Sequence, residues 1–159
     1  SGLYKVLSVD STTAITIDLV HVAGLGTLSV AIAGTEITLR TINLPPLSKN
    51  SNLLLWNEWS MTGSANFKTG ILRFSGAIVQ YANIASSHTL VRCCTRMANA
   101  NSLNAQTIID MPMSYLSGVY TTKTTAIDTS LSQPMAIIGR CVAANEVLKL
   151  EMYLFEVFI

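Results

Sequence analysis

The chain closes with Val147–Ile159, whose sequence is VLKLEMYLFEVFI. Side chains on a β-strand point alternately to its two faces. One set of alternate positions is apolar and predicts a core face: Leu148, Leu150, Met152 and Leu154. The other set starts polar at Lys149 and Glu151 and then turns apolar: Tyr153, Phe155, Val157 and Ile159. A strand that is apolar on both faces lies between two layers. We therefore expect one face to meet the domain's own core. The other meets either a neighbouring copy of the chain or, alternatively, a second layer of the same monomeric sandwich.

Composition indicates one folded domain with little charge. The chain has 159 residues, of which 50% are hydrophobic and only 12% are charged, about half the usual charged share. The net charge is +1 and the basic residues are scattered, so we expect no nucleic-acid binding. No apolar run reaches the ~18 residues of a membrane helix, and the first residues lack a signal-peptide pattern. Because the chain starts with Ser1 rather than Met, we expect it to be a fragment of a longer protein.

Turn signals divide the chain into about ten short β-rich runs, and no segment keeps a helical period. Residues 27–33 and 36–42 flank Gly34 and predict a hairpin. Gly76 falls inside the run 70–81, where it predicts a bulge. The two prolines of Leu44–Leu47 end any strand ladder there. The expected fold is all-β, an antiparallel jelly-roll sandwich, because an open sheet of ten strands would leave exposed edges.

No residue pattern predicts a catalytic site, a cofactor site or a metal site. Zinc sites use four closely spaced Cys or His ligands, whereas the only histidines are His21 and His88. The acidic residues are dispersed, and no phosphate loop or nucleophile motif is present. We therefore expect a protein that is not an enzyme.

Three cysteines remain to be explained. Cys93 and Cys94 are adjacent and Cys141 is distant. The sequence favours three buried free thiols of a protein made in a reducing cytosol. A disulfide between Cys141 and one of the other two is the alternative.

Glu156 interrupts the apolar end of the closing strand, between Phe155 and Val157. A buried carboxylate needs a partner charge or a proton. One interpretation is an ion pair that fixes the register of subunits around a symmetry axis. The other is that the strand has already reached solvent at this point.

The pattern of the whole chain resembles a known family. A compact jelly roll whose hydrophobic last strand carries outward aromatic residues is similar to the tumour-necrosis-factor-like and C1q-like trimers. The Thr-, Ser-, Asn- and Ala-rich, charge-poor composition resembles the distal knobs of viral fibres, in particular the C-terminal knob of the tail needle of short-tailed phages of enteric bacteria. The resemblance implies a homotrimer whose three-fold axis is lined by Tyr153, Phe155, Val157 and Ile159. Glu156 is counted with them as a predicted residue of the trimer interface. It also implies a junction to an upstream stalk over residues 1–10 and one knob domain over residues 11–159.

The resemblance further implies a function. Such a knob is a structural part of the virion, at the tip of the tail, made in the host cytoplasm. It is joined to the needle and the tail machine, helps to seal the portal until genome ejection, and contacts or penetrates the host cell envelope.

A receptor- or glycan-binding fibre head is the alternative, because aromatic side chains stack on sugars; the candidates are Trp56, Trp59, Tyr115 and Tyr120. A virion coat jelly roll fits less well, since the basic arm typical of coat proteins is absent from the sequence.

Overall fold

The computed structural model describes residues 5–11, 14–18, 28–29, 34–84, 89–112, 121–144 and 146–158. Its twelve strands in these ranges are β1 (Lys5–Ser11), β2 (Ala14–Asp18), β3 (Leu28–Ser29), β4 (Ile37–Leu44), β5 (Asn52–Met61), β6 (Lys68–Phe74), β7 (Ala77–Ile84), β8 (Leu90–Asn99), β9 (Gln106–Pro112), β10 (Thr121–Thr125), β11 (Gln133–Cys141) and β12 (Val147–Phe158). Within the same ranges, no helix has the length and apolar content needed to span a membrane.

The strands form two antiparallel sheets. The large sheet has eight strands in the order β1-β2-β12-β5-β8-β9-β10, with β3 also paired with β12. The small sheet has four strands in the order β4-β11-β6-β7. The predicted all-β antiparallel sandwich is thus confirmed, and the closing strand β12 lies inside the large sheet between β2 and β5.

The described residues include part of the expected junction to a stalk. Residues 5–10 belong to β1, which pairs with β2 at the edge of the large sheet. A stalk upstream of the chain stays a prediction.

The described residues show no hairpin around Gly34, although residues 27 and 30–33 of its predicted first strand lie outside them. β4 pairs with β11 in the small sheet, whereas β3 pairs with β12 in the large sheet. Gly34 has a φ of +82°, a conformation that glycine adopts at little cost, and its N–H donates to the carbonyl of Cys141 at 2.9 Å. The sequence thus predicted a turn at Gly34 correctly. The strands before and after it, β3 and β4, lie in different sheets.

The predicted bulge at Gly76 is a tight turn instead. Ser75 and Gly76 have φ values of 45° and 85° and connect β6 to β7. Two central residues with positive φ match the twist of a two-residue hairpin. The run 70–81 is therefore the centre of a hairpin, in which Phe74 pairs with Ala77.

The core lies between the two sheets. Trp59 of β5 is buried there, and a Cβ added to Gly70 of β6 would lie 2.7 Å from its ring atom Cε2. The close approach of the two sheets at this point requires a residue without a side chain. The other inward side chains of the large sheet's central strands include Leu53 and Leu55 of β5 and Val91, Cys93 and Met97 of β8.

Candidate functional site

The face of the large sheet that points away from the small sheet is the main candidate for interaction. We define the outer face as the outward positions of β12, β5, β8 and β9: Met152, Leu154, Glu156, Phe158, Asn52, Leu54, Trp56, Glu58, Arg92, Cys94, Arg96, Ala98, Thr107, Ile109 and Met111. Met152 and Phe158 are the most exposed of its large apolar side chains, at 44% and 42%. Soluble monomers rarely expose wide contiguous apolar surface, so the exposed Met152 and Phe158 side chains make this face a candidate for contact with a partner.

A β-bulge determines which residues of β12 reach this face. Leu150 pairs with Trp59 and Met152 pairs with Glu58, so Glu151 is an extra residue in β12. One extra residue reverses the facing of every side chain that follows it. The inward set is therefore Leu148 and Leu150 before the bulge and Tyr153, Phe155 and Val157 after it.

This finding corrects the predicted trimer interface. Tyr153, Phe155 and Val157 are buried in the chain's own core, so they do not lie on a surface that a second copy could contact. Of the other two predicted interface residues, Glu156 lies on the outer face and is half-buried, while Ile159 lies outside the described residues. The trimer itself stays a prediction.

The outer face is organised in cross-strand rows. Paired residues on neighbouring antiparallel strands have Cβ atoms about 4.5–5.5 Å apart and project to the same side. One row crosses four strands as Leu154, Trp56, Cys94 and Met111. It is apolar throughout, and Cys94 is buried within it. This row forms the apolar centre of the face.

A second row brings charge to the face. It runs Glu156, Leu54, Arg96 and Ile109. Arg96 donates from Nη2 to the side-chain oxygen of Asn52 at 3.0 Å. Among the described residues, Glu156 has no hydrogen-bond or ion-pair partner. The row thus holds an acid on β12 and a base on β8, separated by one apolar residue.

A third row contains an ion pair within the chain. The Nε atom of Arg92 lies 2.5 Å from a carboxylate oxygen of Glu58. Glu58 pairs in turn with Met152 of β12. This pair neutralises both charges next to the exposed Met152 side chain.

A shallow depression lies at one end of the face. It has a volume of about 340 Å³ and is lined by Asn52, Leu53, Leu54, Arg96 and Phe158. An aromatic ring, an amide and a guanidinium group therefore surround one surface depression. This combination accepts either an apolar group or a polar group with several hydrogen-bonding atoms.

The four aromatic residues named as candidates for sugar stacking under the alternative hypothesis are separated by the fold. Trp56 lies half-buried on the outer face, whereas Trp59 is buried in the core, where its Nε1 donates to Asn57 at 2.6 Å. Tyr115 and Tyr120 lie outside the described residues. Of the predicted set, Trp56 alone is placed on the outer face, and Phe158 joins it there although it was not selected from the sequence.

The cysteines are free and buried, which confirms the prediction for all three. Burial, followed by the nearby Asp110 carboxylate, raises the pKa of Cys93 to about 12. The same two causes, together with Glu156, raise the pKa of Cys94 to about 11. Such thiols are poor nucleophiles because the reactive form is the thiolate. The two histidines, His21 and His88, lie outside the described residues, and the described part of the chain contains no cluster of potential metal ligands.

A chain of buried polar side chains crosses the interior from one sheet to the other. Asn57 donates to Gln80 at 2.6 Å, and Gln80 donates to the hydroxyl of Thr95 at 2.7 Å. Thr95 donates to Asp110 at 3.1 Å. Burial raises the pKa of Asp110, although hydrogen bonds from Tyr81 and Thr95 and the charge of Lys123 act in the opposite direction. Gln80 belongs to the small sheet, and Asn57, Thr95 and Asp110 belong to the large sheet. These hydrogen bonds therefore fix the register between the two sheets.

A buried ion pair that was not predicted from the sequence lies at one end of the sandwich. Lys68 Nζ lies 3.2 Å from Glu146, and their side chains are only 1% and 6% exposed. Lys68 also donates to Ser64 at 2.8 Å and to the carbonyl of Asn66 at 3.1 Å. Ser64 and Asn66 donate to the same Glu146 oxygen as well. The buried carboxylate that one interpretation placed at Glu156 is thus at Glu146, and the only signal available in the sequence was a lysine at the start of β6.

Burial alone would raise the pKa of Glu146, but its hydrogen bonds from Ser64, Asn66 and Lys68 and the charge of Lys68 lower it overall. The pair connects the first residue of β6 to the residue that precedes β12. It is therefore part of the framework of the sandwich, since both charged groups are enclosed by the chain.

Comparison with known proteins gave structural similarity only. No family model matches the chain, and no curated protein matches it in sequence. Among solved structures, it is similar to dimeric latent PorU from Porphyromonas gingivalis, with 10% identity, a TM-score of 0.40, and coverage of 84% of this chain and 10% of that one. The chain thus spans about a tenth of the length of PorU.

Two other similar structures are covered over most of their length. The CBM2 module of the evolved Dit protein of Lactobacillus casei BL23 phage J-1 has 12% identity, a TM-score of 0.40, and coverage of 75% of this chain and 69% of that one. The seed lectin of Lotus tetragonolobus has 8% identity, a TM-score of 0.38, and coverage of 92% of this chain and 83% of that one. Similarity at this level carries no functional assignment.

Proposed function

We propose that this chain is a non-enzymatic structural knob at the distal tip of a phage tail needle or fibre. In this proposal three copies assemble, an upstream stalk joins them to the tail machine, and the trimer contacts or penetrates the host cell envelope and helps to seal the portal until genome ejection. The sequence pattern suggests this role, and the all-β sandwich is compatible with it.

The observation that carries the proposal is the exposed apolar surface of the outer face. Met152 and Phe158 are both on the C-terminal strand and are 44% and 42% exposed. Leu154 and Glu156 lie between them on the same face, and the neighbour of Leu154 across the sheet is Trp56. Covering this surface with a second copy removes apolar area from water, and each Å² removed has a favourable transfer free energy of about 25 cal/mol. Assembly then uses the same strand that the sequence singled out, but through its opposite face.

Molar mass in solution, measured by light scattering at micromolar concentration, tests the proposal. We expect the wild type to have three times the chain mass of 17.1 kDa and Phe158→Asp to shift the population to the monomer. Leu131→Asp is the matched control, because Leu131 is 62% exposed but lies in the loop between β10 and β11. A monomeric wild type would overturn the proposal.

The depression on the outer face supports one competing function, the binding of saccharides. Phe158 supplies a ring for the apolar face of a sugar, and Asn52 and Arg96 supply hydrogen-bonding groups beside it. A glycan array distinguishes the two functions. Binding that is lost in Phe158→Ala, together with a monomeric wild type, would favour a saccharide-binding head.

A further inference from the structure

The charges on the outer face are separated by strand. Glu156 is on β12 and Arg96 is on β8, in one cross-strand row with Leu54 of β5 between them. Neighbouring strands are about 4.8 Å apart, so the two Cα atoms are roughly 10 Å apart across the sheet. Arg96 is exposed and bonds to Asn52, and among the described residues Glu156 has no partner. One copy therefore offers an acid and a base that are not paired with each other.

The orientation of a symmetry axis decides what these charges meet in a second copy. Rotation about an axis parallel to the strands leaves the position of each cross-strand row along the strand direction unchanged. With the axis in front of β5, the β12 side of one copy then meets the β8 side of the next. Rotation about an axis that crosses the strands instead places β12 over β12, and acid then approaches acid. Electrostatic complementarity favours the first arrangement, because juxtaposed like charges repel each other across an interface.

We propose that copies of this chain associate about an axis parallel to β5, and that Glu156 of one copy forms an ion pair with Arg96 of the next. This inference rests on the proposed function and names the contact that fixes its symmetry. In the same arrangement Leu54 and Trp56 face the axis, and Leu154 of one copy approaches Cys94 of the next. The depression beside Arg96 receives the partner's carboxylate.

Charge reversal tests the pairing. We expect Glu156→Arg alone and Arg96→Glu alone each to raise the dissociation constant of the assembly by at least about a hundredfold, because each brings like charges together. The double variant restores the acid–base pair in the opposite sense, so we expect it to recover most of the wild-type affinity. Glu36→Arg is the matched control, because Glu36 pairs with Arg73 at 3.0 Å, away from the outer face, and we expect its assembly to be unchanged.

The outcomes separate this inference from the proposed function. A monomeric wild type overturns both. An assembled wild type whose two single variants remain fully assembled overturns only the pairing of Glu156 with Arg96. Single variants that dissociate and a double variant that does not recover also overturn the pairing, provided that thermal unfolding shows the double variant to be folded.

Discussion

Replacing Lys68 by methionine would leave the buried Glu146 carboxylate without its counter-ion. The side chain of Glu146 is 6% exposed, and its oxygen Oε2 already has no hydrogen-bond partner. Methionine retains most of the apolar stem of lysine, so the substitution removes the charge with little change in packing. Ser64 and Asn66 remain as donors to Glu146, but neither carries a charge.

The expected loss of unfolding free energy is large. Removing one partner of a buried ion pair typically costs about 3–5 kcal/mol, because the other charge stays buried and uncompensated. The double variant Lys68→Met/Glu146→Gln leaves no buried charge, so we expect it to recover most of this loss. Lys149→Met is the control, since Lys149 pairs with Glu151 at 2.9 Å but the two side chains are 36% and 32% exposed. Exposed pairs contribute only about 0–1 kcal/mol.

Urea unfolding at one fixed protein concentration measures these differences, because the stability of an assembly depends on concentration. A loss below about 1 kcal/mol for Lys68→Met, equal to that of the exposed control, would refute the buried-pair argument. A double variant that is no more stable than Lys68→Met alone would refute it as well.

The pH dependence of the same pair has a defined sign. The pKa of Glu146 is lowered in the folded protein from its ordinary value of 4.5, so the unfolded chain takes up the proton first as the pH falls. The stabilisation is therefore complete above about pH 4.5 and is lost as the pH falls through the folded pKa. Glu146→Gln should flatten this part of the stability curve, and a curve of unchanged slope would contradict the assignment.

Three further predictions follow from the interior. Gly70→Ala should destabilise the fold by about 1–3 kcal/mol through overpacking against Trp59. Adding Trp59→Phe to this variant should recover part of the lost stability, measured by thermal unfolding. If the stability losses of the two substitutions simply add, the proposed clash is contradicted. Burial raises the pKa of Asp110 from its ordinary 3.8, so its contribution to stability should fall as the pH rises above that value. Asp110→Asn should remove this dependence of the unfolding free energy on pH in unfolding titrations. An unfolding free energy that rises with pH in this range would be inconsistent with the burial argument. Cys93 and Cys94, with pKa values of about 12 and 11, should react with a thiol reagent at pH 8 only as fast as the protein unfolds; rapid reaction of the native protein would show that they are accessible.

The fold class was predictable because each strand carries its own signal. Alternation placed Trp56 and Trp59 on opposite faces of β5, and it likewise separated Arg92 and Arg96 from Val91 and Met97 on β8. Both assignments agree with the burial pattern. The prolines after Leu44 end β4 as expected. These features depend on a few neighbouring residues, which is why the sequence alone was sufficient.

The candidate site was predicted only in part. The closing strand is apolar on both faces, so alternation could not decide which face packs inward. The bulge at Glu151 decides it, and a bulge depends on the register with β5. The Lys68–Glu146 pair was missed for a similar reason, because its members are far apart in sequence and meet through the sheet arrangement.

The sequence by itself determined an all-β sandwich and a closing strand with two apolar faces, since local alternation and composition set these properties. It favoured buried free cysteines but left a disulfide open. Only the tertiary structure decided the partners of each strand, the face of β12 that enters the core and the surface left for a partner. These depend on pairing between distant segments, where one extra residue such as Glu151 exchanges the inner and outer faces of everything that follows it.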